Sequence, residues 1–511
     1  MHNQRLDLAL TYHEETKHSY ESVYRDHHFL DWDNQPRPFK LYPNVEPQAL
    51  PQALPASYRS AMLTFAPVTA SPATLPTLID LAYILFSGAG ITKRRTFSGY
   101  GEMLFRAAAC TGALYHIELY LAVVDLPDLS AGLYHFGPAD FALRRLRRGD
   151  YRAVLVEASG QHPALQDAPV IIIGTDTFWR NAWKYRARAY RHSFWDAGTI
   201  LANLLSAATA RNLPACLVAG FVDMSVNALL DLETPREVAL FLVGLGCGTP
   251  PPPVAPTVTP LALDVPPVSR EEVEYPAIYI AHNASSLQSP EEVAAWRGAA
   301  PPLALPPATG TLFPLCPDAA EYLPTAPLEE VVRRRGSTRK FAHHPLSLPQ
   351  LSNVLTRTVT DIPADFLETP GTRINDIYLI VNAVTDLPAG AYVLHTSPVA
   401  LECLQAGDFR QQAGMLALGQ DLAADASVAI FFLCDLPLVL ERFGNRGYRA
   451  AQLEAGMLGG RMYLTAYAQG FGATGLTFFD DDVSEFFSPH AAGKSVMFLI
   501  ALGYTARQHQ R

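Results

Sequence analysis

Hydrophobic residues along this chain come in short dense runs separated by polar turns, and their spacing assigns the elements. Leu75, Leu78, Ile79, Ala82 and Leu85 recur at helical spacing and stop at Ser87-Gly88-Ala89-Gly90, which predicts a helix ending on small residues. Apolar runs over 117–124, 170–173, 217–221 and 238–245 predict buried strands. Between the second and third of these, residues 188–211 are rich in Ala and Leu and predict one long helix. Strands and helices interleave, so the fold class is α+β, a layered αβα sandwich.

The pattern then repeats. Tyr190-Arg191 followed by Asp196-Ala197-Gly198 returns as Tyr448-Arg449 followed by Glu454-Ala455-Gly456, 258 positions later. The same spacing relates Ala131-Gly132 to Ala389-Gly390 and Tyr120 to Tyr378, and Phe241-Leu242-Val243 returns as Phe498-Leu499-Ile500. A second-copy helix is expected over 348–355, opened by Ser347 as its N-cap. Two tandem copies of one unit are therefore expected, 1–247 and 326–511, packed as an intramolecular pseudo-dimer through their long helices. The stretch 248–325 begins with a run of four prolines, Pro250 to Pro253, and reads as a connector arm with one short helix over 289–296.

Composition narrows the function. Of the 511 residues 49% are hydrophobic and 17% charged, which describes a well-buried globular protein. A net charge of -10 argues against nucleic acid as partner, and the basic run 144–148 reads as a solvated turn. The six cysteines contain no CxxC pair, so no metal site is expected. Nor is there a membrane-spanning run or a signal-like opening; a soluble cytoplasmic protein is the expectation.

Three segments carry candidate chemistry. In Arg333-Arg334-Arg335-Gly336-Ser337-Thr338-Arg339, alternate residues of an extended stretch share a face, so Arg335, Ser337 and Arg339 converge. Two guanidiniums and a hydroxyl suit a phosphate, although alone the segment fits a solvated basic helix end equally well. Ala109-Cys110-Thr111-Gly112-Ala113-Leu114-Tyr115 is a small-residue loop entering a strand, where backbone N–H groups can approach a flat ligand; by itself it is an ordinary loop. Trp183-Lys184-Tyr185-Arg186 mixes cations and aromatics ahead of the long helix, and without context reads as an exposed first turn. Asp480-Asp481-Asp482 reads as an N-cap for a helix over 483–487 rather than a metal site.

Taken in order, with the openings Tyr12-His13-Glu14-Glu15-Thr16-Lys17-His18-Ser19 and Gln35 to Pro43, these segments resemble the SagB/ThcOx-type dehydrogenases of the nitroreductase superfamily across most of the chain. The resemblance implies FMN bound between two like domains. It implies Arg335 and Ser337 on the phosphate and ribityl chain, Arg339 near the pyrimidine edge, and a small-residue loop with Thr474, Gly475 and Leu476 beside flavin N5. Arg507 becomes a second phosphate ligand. The family's Pro-Ser-Ala-Gly-Ala-Leu-Tyr loop matches Cys110, Thr111, Gly112 and Leu114, with Ala109 in place of proline and Cys110 in place of serine. Lys184 and Tyr185 match its catalytic Lys-Tyr pair.

The intact parts are complementary. The first copy lacks the arginine arm and reads Ser60-Ala61-Met62-Leu63-Thr64-Phe65 instead, while the second replaces Lys-Tyr by Arg442-Phe443. One composite site per chain is expected, moving hydride between flavin and a small or peptide-borne substrate; the resemblance implies dehydrogenation as the leading reaction, with thiazoline or oxazoline rings as one candidate substrate. The alternatives are an NAD(P)H-dependent reductase of nitro compounds, quinones or flavins, and a degenerate flavin-fold binding protein, the latter prompted by Cys110 and the missing first-copy arm. Further self-association of the whole chain is compatible with each.

Overall fold

A computed structural model of the chain describes every residue except 1, 26–27, 58, 69–72, 98–100, 253, 298–304, 319–322, 368–370 and 507–511. Two seven-stranded antiparallel sheets dominate it. The first runs, edge to edge, Pro47–Ala49, Ala142–Arg148, Gly132–Gly137, Ile117–Val123, Val170–Thr177, Glu237–Leu245, Ala215–Val218. The second runs Thr311–Pro314, Val399–Ala406, Gly390–Thr396, Asp376–Val381, Val428–Cys434, Ser495–Gly503, Gly472–Leu476. The strands correspond one to one, so the repeat read from the sequence is a repeat of topology. Val170–Thr177 and Val428–Cys434 lie inside their sheets with every residue buried, which is why their sequences are continuously apolar at the core rather than alternating.

Helices cover both faces to complete the αβα sandwich. A Cβ on Gly244 would strike the Ala164 carbonyl of the helix Pro163–Gln166. Phe498, the counterpart of Phe241, presses its ring on Gly459 of the long helix Arg446–Ala468. Positions 241 and 244 are three apart in one strand and so face opposite ways.

Several boundaries differ from the sequence reading. The first helix is Leu78–Ala89, opened by a Thr77–Asp80 capping box, and leaves Leu75 outside and 52% exposed. Its counterpart is Leu348–Thr358, with Ser347 and Gln350 forming the same box. Of the run 217–221 only Leu217 and Val218 are strand, within Ala215–Val218. The basic run 144–148 is no turn. It belongs to the strand Ala142–Arg148, and Arg147 is buried, donating to the Leu229 carbonyl at 2.8 Å. The connector is more structured than its prolines suggest. Besides the expected short helix, found at Pro290–Arg297, it holds the helix Pro276–Ala284 and the edge strand Thr311–Pro314.

The long helices Ala189–Ala210 and Arg446–Ala468 cross at equivalent glycines. A Cβ on Gly198 would lie 2.6 Å from the Gly456 carbonyl carbon, and one on Gly456 would lie 2.6 Å from the Trp195 carbonyl oxygen, so only glycine permits this approach. Two buried ion clusters flank the crossing and repeat the symmetry. Asp223 of the first copy accepts from Arg446 at 2.6 Å and Arg449 at 2.7 Å of the second. Asp480 of the second accepts from Arg188 at 3.0 Å and Arg191 at 2.5 Å of the first. Asp480 is therefore not an N-cap. It is the first residue of the helix Asp480–Phe486 and pairs across the interface.

Candidate active site

The loop between the strand Gly101–Arg106 and the strand Ile117–Val123 is held from all sides. Gly112, Ala113 and Tyr115 all have positive φ, 64°, 54° and 49°, a conformation that costs alanine and tyrosine energy and needs external restraint. The restraint comes from the long helix. Asp196 accepts from the Thr111 N–H at 2.9 Å and from its hydroxyl at 2.9 Å, and from the Cys110 thiol at 3.1 Å. Thr199 donates to the Ala109 carbonyl at 2.6 Å. The Arg106 N–H donates to the Tyr115 hydroxyl at 3.0 Å, closing the loop on itself.

Beneath the loop lies a buried carboxylate–imidazole–carboxylate row. His116 contacts Asp176 through Nδ1 at 2.7 Å and Asp196 through Nε2 at 2.8 Å. Burial works against charge on the ring, but Asp176 and Asp196 outweigh it and raise the His116 pKa well above its usual range. An imidazolium thus fixes Asp196, and Asp196 fixes the loop. Burial, then the Asp196 charge, push the Cys110 thiol up to about 11, so it serves as a neutral hydrogen-bond group rather than a thiolate. The second copy has no such row: Glu454 there accepts from the Ile374 and Asn375 backbone instead.

The arginine arm of the second copy reaches this loop. The helix Leu328–Arg334 ends at Arg335, and the chain continues extended. Arg335 donates through Nε to the Ala107 carbonyl at 2.8 Å and through Nη2 to those of Arg106 at 2.8 Å and Ala108 at 3.2 Å. Its guanidinium therefore ties the copies together, and only Nη1 is left for another partner. Ser337 lies 3.2 Å from the hydroxyl of Tyr463, which also accepts the Gly475 N–H at 2.6 Å. Arg339 is exposed and, among the described residues, makes no ion pair.

Thr474, Gly475 and Leu476 belong to the edge strand Gly472–Leu476, not to a loop as the resemblance suggested. Tyr185 closes the helix Phe178–Tyr185 with its hydroxyl against Gly112, where a Cβ would come within 2.8 Å of it. Burial, then Asp196 and Cys110, raise the Tyr185 pKa, and the facing Arg339 guanidinium opposes that rise. Lys184 is exposed, its Nζ 5.3 Å from the Tyr185 ring centroid. Leu114 is half-buried beside Gly112, and Arg507 lies outside the described residues. Residues of both copies named from the sequence thus meet around one loop. Sequence reasoning missed Tyr463, His116 and Asp176. Comparing the copies would have marked them, since their counterparts at a spacing of 258 are Leu205, Ile374 and Cys434.

A family model described as the nitroreductase family matches residues 126–247 and 332–504, more than half of the chain and one segment in each copy. The chain belongs to the nitroreductase family. Among solved structures it is similar to a protein from Anabaena variabilis, provisionally named a nitroreductase, at 27% identity and a TM-score of 0.77, covering 98% of this chain and 99% of its own. The tandem arrangement of this nitroreductase-family chain is therefore shared along the full length of that protein. A Methanocaldococcus jannaschii protein, also provisionally named a nitroreductase, is 25% identical over 170 residues, 33% of this chain and 80% of its own. The Escherichia coli microcin synthetase complex includes a chain 19% identical with a TM-score of 0.31, too low to bear on substrate. Among the described residues no helix is long and apolar enough to cross a membrane.

Proposed function

We propose that this chain is an FMN-dependent oxidoreductase of the SagB type with one composite site. The observation that carries the reading is the tie of Arg335 to the carbonyls of 106–108, which brings the arginine arm of one copy against the capping loop of the other. The donors there suit a flat anionic cofactor: an exposed Arg339 that makes no ion pair among the described residues, the Ser337 hydroxyl and the Gly475 N–H; a glycine stands at 112, where any Cβ would crowd Tyr185. Arg335 and Ser337 would hold the phosphate and ribityl end, with Arg507 as a further phosphate ligand. Thr474, Gly475 and Leu476 would line one side of the ring system, and Cys110, Thr111, Gly112 and Leu114 would cap the other.

FMN, when bound, supplies a site that accepts or gives up a hydride. The chain supplies the rest. Arg339 would supply a positive charge to offset negative charge on a bound, reduced cofactor. Tyr185, with its raised pKa, holds its proton at neutral pH and would donate it from Oη, while Lys184 Nζ beside it at the exposed rim would hold negative charge developing on the substrate. The loop would cover one face of the bound cofactor. The leading reaction is dehydrogenation of a small or peptide-borne substrate, with azoline rings first. The full-length likeness to the Anabaena protein favours a second reading, NAD(P)H-dependent reduction of nitro compounds.

The purified protein should show an oxidised-flavin spectrum that dithionite bleaches. Turnover of azoline peptides against NADPH with a nitroarene then separates the two readings. Colourless protein that takes up no added FMN would exclude both.

A further inference from the structure

The two copies satisfy one equivalent backbone donor in different ways. Leu217 and Gly475 occupy matching places on the two edge strands, opposite Val243 and Ile500. In the first copy the Leu217 N–H donates to the Pro363 carbonyl at 2.8 Å, and the Asp365 N–H returns to the Leu217 carbonyl at 3.1 Å. Residues 363–365 thus lie as a short parallel addition on the sheet edge. The Asp365 carboxylate then accepts from the Ala219 and Gly220 N–H groups, each at 2.8 Å. Asp365 is 1% exposed, so withdrawing this segment would strand several buried donors at once. That edge is closed by the chain's own backbone.

At Gly475 the same outward donor meets only a side chain, the Tyr463 hydroxyl at 2.6 Å. That oxygen also lies 3.2 Å from Ser337 Oγ, and the Arg335 guanidinium sits 5.7 Å from the Tyr463 ring centroid. The counterpart of Tyr463 is Leu205, so the hydroxyl occurs in the copy that carries the arginine arm and not in the other. A hydroxyl can exchange one hydrogen-bond partner for another with a small side-chain shift. A paired backbone segment cannot.

We infer that Tyr463 is a place-holder. In the flavin-free protein its hydroxyl occupies the Gly475 N–H and the Ser337 hydroxyl, and it yields them when the cofactor brings acceptors of its own. The inference rests on the FMN reading above and assigns Tyr463 a positioning role, not a catalytic one.

The test is Tyr463→Phe in the full chain, which keeps the ring and its packing. FMN binding to flavin-free protein is followed by quenching of flavin fluorescence, and hydrogen exchange is read at Gly475. Without the hydroxyl, the Gly475 N–H has no partner until FMN arrives. The variant should therefore melt at lower temperature when flavin-free, exchange faster at Gly475, and bind FMN about ten-fold more tightly than wild type. With FMN bound the two should exchange equally slowly. An affinity unchanged or weakened in the variant overturns the inference, a weakened one making Tyr463 an ordinary cofactor ligand. Wild-type protein that takes up no FMN at all overturns the functional reading instead, and the Gly475 exchange rates of the two flavin-free proteins still decide whether the hydroxyl guards that donor.

Discussion

Asp480→Asn should destabilise the chain far more than its position at the start of a short helix suggests. Asp480 is 2% exposed and is the carboxylate partner of Arg188 and Arg191, with the His18 N–H as a further donor at 2.8 Å. Removing its charge leaves two buried guanidiniums without a counter-ion, a change that costs about 3–5 kcal/mol. Against a total stability of about 5–15 kcal/mol, that is a fifth or more of the margin. Asp481, one residue on, is the control: its side chain is 73% exposed and its pair with Lys17 is worth about 1 kcal/mol or less. Urea unfolding of both variants measures the difference. The sign with pH follows from the same contacts. Burial alone would raise the Asp480 pKa, but Arg188 and Arg191 outweigh it and hold the carboxyl far below the usual range. Its contribution is therefore complete above about pH 4 and is lost as pH falls through the lowered folded pKa, so wild type and variant should converge in strong acid. An Asp480→Asn loss no larger than that of Asp481→Asn would refute the reasoning.

Gly198→Ala should cost about 1–3 kcal/mol, because the new Cβ would meet backbone atoms of Leu453, Gly456 and Met457 and force the long helices apart; an unchanged melting temperature would contradict the packing. Arg335→Ala should give largely colourless protein that partly recovers in excess FMN. Losing the charge-assisted bond that its remaining Nη1 would give the cofactor is worth about 1.5–3 kcal/mol, or roughly ten- to a hundred-fold in affinity. Lys184→Ala and Tyr185→Phe should keep their flavin and lose turnover, and the opposite pattern would invert the assigned roles.

Much of this was legible in the sequence because it depends on local pattern. Spacing gave the long helices, the central strands and the 258-residue repeat, and small residues marked the capping loop. What was hidden depends on contacts between distant segments. Arg335 looked like a free phosphate receptor, yet its carbonyl partners lie more than 220 positions away. The 144–148 run looked solvated because charge was weighed without its strand partner, the Gly132–Gly137 segment it pairs with. Pro314 sits in an edge strand, where a sheet tolerates a missing N–H, so a proline-rich stretch concealed it. Tyr463 lay in a second-copy helix expected only through the repeat, and His116 at the mouth of a strand read only for its hydrophobicity.

The central claim is that two like copies make one working site. The second candidate place is closed by residues 363–365, and the arginine arm stands in one copy alone. The most direct test is the amount of flavin released on denaturation of the saturated protein, measured by absorbance against protein concentration from amino-acid analysis. The account predicts one FMN per chain. Two per chain would show that the closed edge binds flavin after all, and contradict it.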